Sequence, residues 1–283
     1  MVTVTCYNCG SNKYRFYASE NGCNLVKCSQ CGLLYVNPRP NDHEIIEGAK
    51  YGVHKGEHTL ESTGRFMKAK IGIYLKVLKD IYDGELNGAK RTWLDVGCGH
   101  GELLIALQKF SDGCVLAKGL EPNRYKIEAA TRRGLDVRYF DLANHGVRYD
   151  CLSILNVYSH LTNPLEFLSL LKTCLKPGGE LLVETGDTAN ISAEEHARPF
   201  LLPDHLSFGS EKIISGVLNR AGFEVVSISK YPALKLRFMK VRIVKELIKV
   251  GLPGKKSQVP AIYSQFRLRK RKTDMWIRAR LRS

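Results

Sequence analysis

No apolar run in this 283-residue chain approaches the roughly eighteen residues that a membrane-crossing helix needs, so no transmembrane helix is expected. The start, MVTVTCYNCGSNKYRF, lacks the basic-then-apolar pattern of a secretory signal, which predicts a cytosolic protein. The nine cysteines are odd in number, which argues against a disulfide framework. Nor is there a disordered composition: hydrophobic residues make up 44% and charged residues 25%, enough for a buried core in one large domain, or in one domain with a small appendage. Excess charge of either sign is missing before residue 230, where bases and acids balance. The whole net charge of +15 lies from Lys230 onward, where 17 Lys and Arg face only Glu246 and Asp274. The basicity therefore describes one surface.

Four of the cysteines form an array, Cys6 and Cys9 then Cys28 and Cys31, two C-x2-C knuckles a hairpin apart. Such knuckles can set four thiolates tetrahedrally around one Zn2+, closing its coordination and giving it a structural role. Glycine follows each knuckle (Gly10, Gly32) and lets the turn fold its amides toward the sulfurs. Between them a tyrosine-rich strand, an Asn21-Gly22 turn and a second strand are expected. Cys23 stands outside the pattern and reads as a packing residue or spare thiol. The rival reading is a redox pair or ordinary buried cysteines.

Residues 91–104, RTWLDVGCGHGELL, read as a strand over Trp93–Val96, a glycine turn and a helix opening with Glu102. Glycines there permit a tight turn and bring a ligand onto the amides of a helix N-terminus. A tight βα turn alone would also explain them. A second strand (115–123) ends in Glu121, where α/β folds present a carboxylate to ribose hydroxyls. A helix over 123–133, a strand ending at Asp141-Leu142, a strand over 149–157, a helix from about Asn163 and a fifth strand in LKPGGELLVETGD follow. The alternation predicts right-handed βαβ units and a parallel sheet. The third glycine comes one residue early for a nicotinamide-binding turn, and no Lys-Ser/Thr follows for a P-loop.

LDVGCGHGELL, the acid in GLEPN, Asp141-Leu142, NVYSHLTNP and LKPGGELLVET together resemble, in order and spacing, the class I S-adenosylmethionine (SAM)-dependent methyltransferases, from about residue 60 to the C-terminus. The cysteine array running into CGLLYVNPRP is similar to the bacterial subgroup with a zinc-binding N-terminal region. That subgroup includes deoxysugar C-methyltransferases and enzymes of polysaccharide and natural-product pathways. The resemblance implies an α/β fold: a Rossmann-like, seven-stranded, doubly wound sheet with an N-terminal zinc ribbon. It puts Asp95, Gly97, Cys98, Gly99 and Gly101 at the methionine end of SAM. Glu121, with Pro122 beside it, would serve the ribose, Asp141 and Leu142 the adenine, and Asn156 and Val157 the floor. Glu121 as a helix N-terminal acid and Asp141 as a turn residue are the plainer alternatives.

A sulfonium is already a strong methyl donor, so such an enzyme supplies in-line positioning and, where needed, a base. The family usually has an acid before the histidine that follows strand four; here Tyr158-Ser159-His160 departs from that. His160 is the first candidate base, against a role in packing the next helix. His205, in PDHLSFGS, resembles the family's HL-x-F-[ST] segment and is the second. Tyr158 is the third catalytic candidate, and with Tyr51 it would shape the pocket. No carboxylate pair stands out for acid–base work.

The last two strands, over 222–231 and 273–281, are joined by some forty residues instead of the usual short connection. Apolar residues at 236, 239, 243, 247 and 250 with bases between predict a cationic amphipathic helix, and QFRLRKRK a cationic run. It reads as a peripheral contact with an anionic membrane through 234–272, as a helix packed on its own sheet, or as an RNA grip. The expected division is a zinc ribbon (1–40), a helical linker and lid (41–88) and a methyltransferase core (89–283) with a basic insertion at 232–272. The expected activity is methylation, on oxygen before carbon, of a small-molecule or sugar acceptor, free or lipid-linked. The setting would be envelope polysaccharide or secondary-metabolite synthesis, in the cytoplasm or at the inner face of the membrane. An RNA methyltransferase and a non-catalytic SAM-binding partner protein are the alternatives; a nucleic-acid partner ranks below a lipid or sugar.

Overall fold

The computed structural model describes residues 1–86, 88, 90–232 and 271–282. The helix and cationic run expected within 234–272 lie outside the described residues, apart from Arg271 and Lys272. Among the described residues no helix is long and apolar enough to cross a membrane.

The chain opens with three strands, β1 (Tyr14–Glu20), β2 (Cys23–Cys28) and β3 (Leu34–Val36). Asn21 and Gly22 both take left-handed φ, 52° and 70°, the geometry of a two-residue hairpin turn whose twist matches its strands. Next come α1 (Asp42–Tyr51), the short hairpin β4 (Val53–Lys55) and β5 (Thr59–Glu61), and α2 (Lys68–Tyr82). α1 begins with a reciprocal cap: Asn41 Oδ1 accepts from Glu44 N, and Glu44 Oε2 from Asn41 N, both at 2.9 Å.

The remaining strands are β6 (Arg91–Val96), β7 (Val115–Glu121), β8 (Val137–Tyr139), β9 (Tyr149–Leu155), β10 (Leu175–Gly186), β11 (Ser207–Phe208), β12 (Phe223–Tyr231) and β13 (Asp274–Leu281). The helices between them are α3 (Glu102–Phe110), α4 (Arg124–Thr131), α5 (Pro164–Thr173) and α6 (Glu211–Arg220). Seven strands form one sheet in the order β12-β13-β10-β9-β6-β7-β8, with β13 antiparallel to both its neighbours. This is the doubly wound sheet expected. Two boundaries differ. β9 ends at Leu155 rather than 157 because Asn156 turns the chain at φ 57°, and α4 stops two residues early, ahead of Gly134 at φ 79°.

Strand alternation sorts the core into two layers. Trp93, Cys151, Leu182 and Trp276 pack toward α2 and α3, against Tyr74, Leu78, Tyr82 and Leu107. Leu94, Leu152, Ile154, Val183 and Ile277 pack toward α5 and α6, against Leu168, Leu171, Ile214 and Val217. At the first layer's edge lies a buried ion network. Arg278 donates from Nε and Nη2 to the two oxygens of Glu180, each at 2.9 Å. It also reaches Glu85 just past α2 (Nη1 to Oε1, 3.0 Å), and its guanidinium carbon lies 4.5 Å from the centre of the Tyr82 ring.

The ribbon's sheet is completed from the core. β11 pairs antiparallel with β3, so the order is β1-β2-β3-β11. Glu20 accepts from three successive amides, Phe200 N (2.8 Å), Leu201 N (2.6 Å) and Leu202 N (3.2 Å). Tyr17 Oη donates to Ile191 O and Lys27 Nζ to Ala189 O, both at 2.8 Å.

Removing one partner of a buried ion network leaves the other charge unpaired. Arg278→Met is expected to cost about 3 kcal/mol or more, since Glu180 keeps only Arg280, while Glu85→Gln, at an exposed site, costs about 1 kcal/mol or less. Urea denaturation of the three proteins measures both.

Candidate cofactor and acceptor site

Asp95 lies next to last in β6, with 2% of its surface exposed. A chain of donors holds it: Trp93 Nε1 donates to Ser153 Oγ (2.9 Å), and Ser153 Oγ donates to Asp95 Oδ1 (2.6 Å). Burial first, then the charges of Glu121 and Glu102, push its carboxyl up to about 7 against the pull of Ser153. The turn after it needs its glycines. A Cβ on Gly97 (φ 75°) would run into Val157, and one on Gly101 (φ 85°) into Leu135, whereas one on Gly99 would meet open space. Cys98 turns its thiol away from this opening and packs with Leu104, Ala130 and Val137.

Glu121, 3% exposed, accepts from Gly99 N through Oε2 (2.8 Å) and from Asn123 N through Oε1 (3.1 Å). It thus stands across the turn with Pro122 next to it. Asn156 is exposed, while Val157 lies against Gly97. Asp141 is also exposed and accepts from the Asn144 side chain (3.0 Å). His100, not singled out from the sequence, stands in this turn, and both its ring nitrogens are buried with no partner among the described residues. A buried acid at an open glycine turn, with unpaired ring nitrogens beside it, fits a polar, cationic ligand such as SAM. Asp95 and the turn amides would take its methionine end, and Glu121 its hydroxyls.

Two expected site residues go elsewhere. Tyr158 is 1% exposed, with its hydroxyl buried in the α5–α6 layer, so it is not a catalytic group that can reach substrate. Leu142 is 2% exposed and belongs to the same layer. Glu184 and Asp274 form a buried carboxylate pair that no local sequence pattern singles out. Strands β10 and β13 bring them to one face, and burial pushes both acids up, Glu184 further still by the Asp274 charge.

His160 ends a single 3-10 turn (Tyr158–His160) just past Val157. Its Nδ1 lies 2.8 Å from the backbone oxygen of Asp204 and 3.0 Å from Asp204 Oδ1. The ring of His205 faces it edge-on at 4.8 Å, with His205 Nδ1 2.8 Å from Phe200 O. Both candidate bases are thus brought together. The sequence reading missed Asp204 and His54, whose Nε2 lies 3.1 Å from the same Asp204 Oδ1.

At the other end the four array sulfurs converge, Cys6 Sγ 3.5 Å from Cys31 Sγ and Cys9 Sγ 3.6 Å from Cys28 Sγ. Those spacings are close to the edge of a tetrahedron of about 2.3 Å Zn–S bonds. Burial raises the Cys28 thiol, but the amides of Cys31 and Gln30 outweigh it and bring it down to about 7, toward the thiolate that a metal needs. Cys23 is buried apart from the cluster.

A carboxyl at about 7 must ionise to hold an ammonium, so SAM affinity is expected to rise with pH by about tenfold between pH 6 and 8 and then level off. Calorimetric titrations across that range measure it, and Asp95→Asn should bind more weakly with the slope gone.

Residues 71–228 match the family described as a methyltransferase domain. A tRNA U34 carboxymethyltransferase of Azotobacter vinelandii is 31% identical over 119 residues, 37% of each chain. A ubiquinone biosynthesis O-methyltransferase of Dinoroseobacter shibae is 32% identical over 98 residues, 32% of this chain and 40% of its own. The chain thus spans about two-fifths of these relatives. Among solved structures, the [4+2]-cyclase SpnF (18% identity, TM-score 0.52) covers 85% of this chain and 91% of its own. A SAM-dependent methyltransferase from Archaeoglobus fulgidus (20%, 0.51) covers 74% and 94%, and both share the fold. With the motif turn, the acid on β7 and the seven-stranded sheet in place, the chain belongs to the methyltransferase-domain family.

Proposed function

We propose that this enzyme methylates a hydroxyl of a sugar or other small-molecule acceptor, with His160 as the general base. The observation that carries this is the seat of His160, one 3-10 turn beyond the Val157 floor, with its Nδ1 engaged by Asp204. An Nδ1 facing two oxygen acceptors holds its proton there, which leaves Nε2 as the basic nitrogen. When bound, SAM supplies an electrophilic methyl on a sulfonium. The acceptor oxygen forms the new C–O bond as the C–S bond breaks, the sulfur leaves as a neutral thioether, and the hydroxyl proton passes to His160 Nε2. His205, edge-on to His160, would line the acceptor side. The subgroup resemblance supports a sugar, in polysaccharide or secondary-metabolite synthesis, and the relative named as an O-methyltransferase supports oxygen. The basic segment after Lys230 would hold anionic or lipid-linked acceptors, and Cys6, Cys9, Cys28 and Cys31 would bind one structural Zn2+.

RNA is the second reading, favoured by several relatives named as tRNA U34 carboxymethyltransferases and by the +15 charge. Incubation with methyl-labelled SAM and, separately, nucleotide-linked sugars, lipid-linked saccharides and bulk tRNA decides between them. Label is expected in a saccharide fraction, with His160→Gln lowering it about 100-fold; label in tRNA alone overturns the sugar reading. Metal analysis is expected to find one zinc per chain, lost in Cys28→Ser. That loss should also expose residues 187–206 to proteolysis, because the ribbon holds that segment.

A further inference from the structure

We infer that Asp204 and His54 are positioning residues for the proposed base: one carboxylate oxygen, shared by two imidazoles, keeps His160 in its Nδ1-protonated tautomer and ties that orientation to the segment carrying α1 and β4. The inference rests on the reading of His160 as the base.

Three pieces of chain far apart in sequence meet at this oxygen. His160 comes from the turn after β9, Asp204 from the chain between β10 and β11, and His54 from β4. Asp204 Oδ1 accepts from His160 Nδ1 at 3.0 Å and from His54 Nε2 at 3.1 Å, and the Asp204 side chain is only 11% exposed. A buried carboxylate needs such donors, and two imidazole N–H groups supply them. Backbone bonds fix the carboxylate in turn. Leu206 N donates to Ser159 O at 2.7 Å, clamping the Asp204 chain to the His160 turn. His54 is held as firmly: Ser62 Oγ lies 3.0 Å from its Nε2, and a Cβ on Gly48 of α1 would come within 2.7 Å of its Nδ1. Glycine at 48 is what lets α1 close over this ring.

The charges follow the geometry. The Asp204 carboxyl is held far below the usual carboxylate range because His160, His54 and His205 outweigh its burial. Burial and Lys126 pull His160 down, and the bonds and charge of Asp204 pull it up further, for a net rise. His54, with burial dominant over the pull of Asp204, is pushed down. The groups facing His160 are therefore Asp204, His205, His54 and Lys126. A base whose pKa is raised works only above it, so turnover is expected to climb with pH through the His160 midpoint. Without the carboxylate that limb moves to lower pH, while the plateau falls because the ring loses its orientation.

Long-range 15N–1H NMR of the full chain, with histidine nitrogens labelled, reads tautomer and midpoint without any acceptor. His160→Gln assigns the signals among the eight histidines. The wild-type protein is expected to show neutral His160 protonated on Nδ1, with a midpoint above that of an ordinary histidine. An Nε2-protonated ring, or a midpoint below the ordinary value, overturns the inference with no variant needed. Asp204→Asn should lower the midpoint by about one pH unit and, in the labelled-methyl assay, kcat by about 1,000-fold at unchanged KM for SAM. Asp204→Glu should recover part of both. His54→Phe should let a second His160 tautomer appear, and His54→Gln, which can still donate to the carboxylate, should suppress it; a single unchanged tautomer in His54→Phe removes His54 from the arrangement. If the tautomer and midpoint respond as stated while His160→Gln leaves methyl transfer intact, the positioning stands and the base assignment fails.

Discussion

The proposed acceptor side depends on a piece of chain that the N-terminal hairpin holds in place. From Asp187 to Leu206 there is neither helix nor strand, yet the segment packs into the protein and carries Asp204 and His205. Its backbone groups are satisfied partly by turns of its own and partly from outside. Glu20 accepts from three successive amides, and Tyr17 and Lys27 bind two carbonyls. All three come from one hairpin of the ribbon, and β11 then adds a strand to the ribbon's sheet. The four-cysteine cluster is thus coupled by mechanical continuity to the segment that carries Asp204 and His205.

Charge is distributed to the same end. Where the sheet needs rigidity, acids are paired, as Glu180 and Glu85 are with Arg278. Toward the carboxyl ends of β6 and β10 the acids have few counter-charges: Asp95, Glu184 and Asp274 are all pushed up by burial and by neighbouring acids or burial alone. Such a region favours a cation. A sulfonium carrying an ammonium would satisfy it, and the unpaired ring nitrogens of His100 lie in the same turn.

Much of the fold was legible because its signals are local. Strand alternation, the glycine turn and C-x2-C knuckles are each written within a few residues, and each appears where the spacing put it. Side-chain direction was less legible. Tyr158 looked like a pocket residue beside His160, but the 3-10 turn points it into the α5–α6 layer. Leu142 and Cys98 likewise turn into packing, since a motif specifies the backbone path and burial decides where an apolar side chain goes.

The sequence by itself determined the succession of strands and helices, the acid and glycines of the turn after β6 and the four-thiol array, and its motifs carried the resemblance to the family. Periodicity and spacing are properties of nearby residues, and the first three features need nothing else. Only the tertiary structure decided that Asp204 sits between His160 and His54, that Glu184 meets Asp274, and that Glu20 holds the acceptor segment. These partners lie from 44 to 182 residues apart, and no local pattern encodes a contact that exists only once the sheet, the closing segment and the ribbon have packed together.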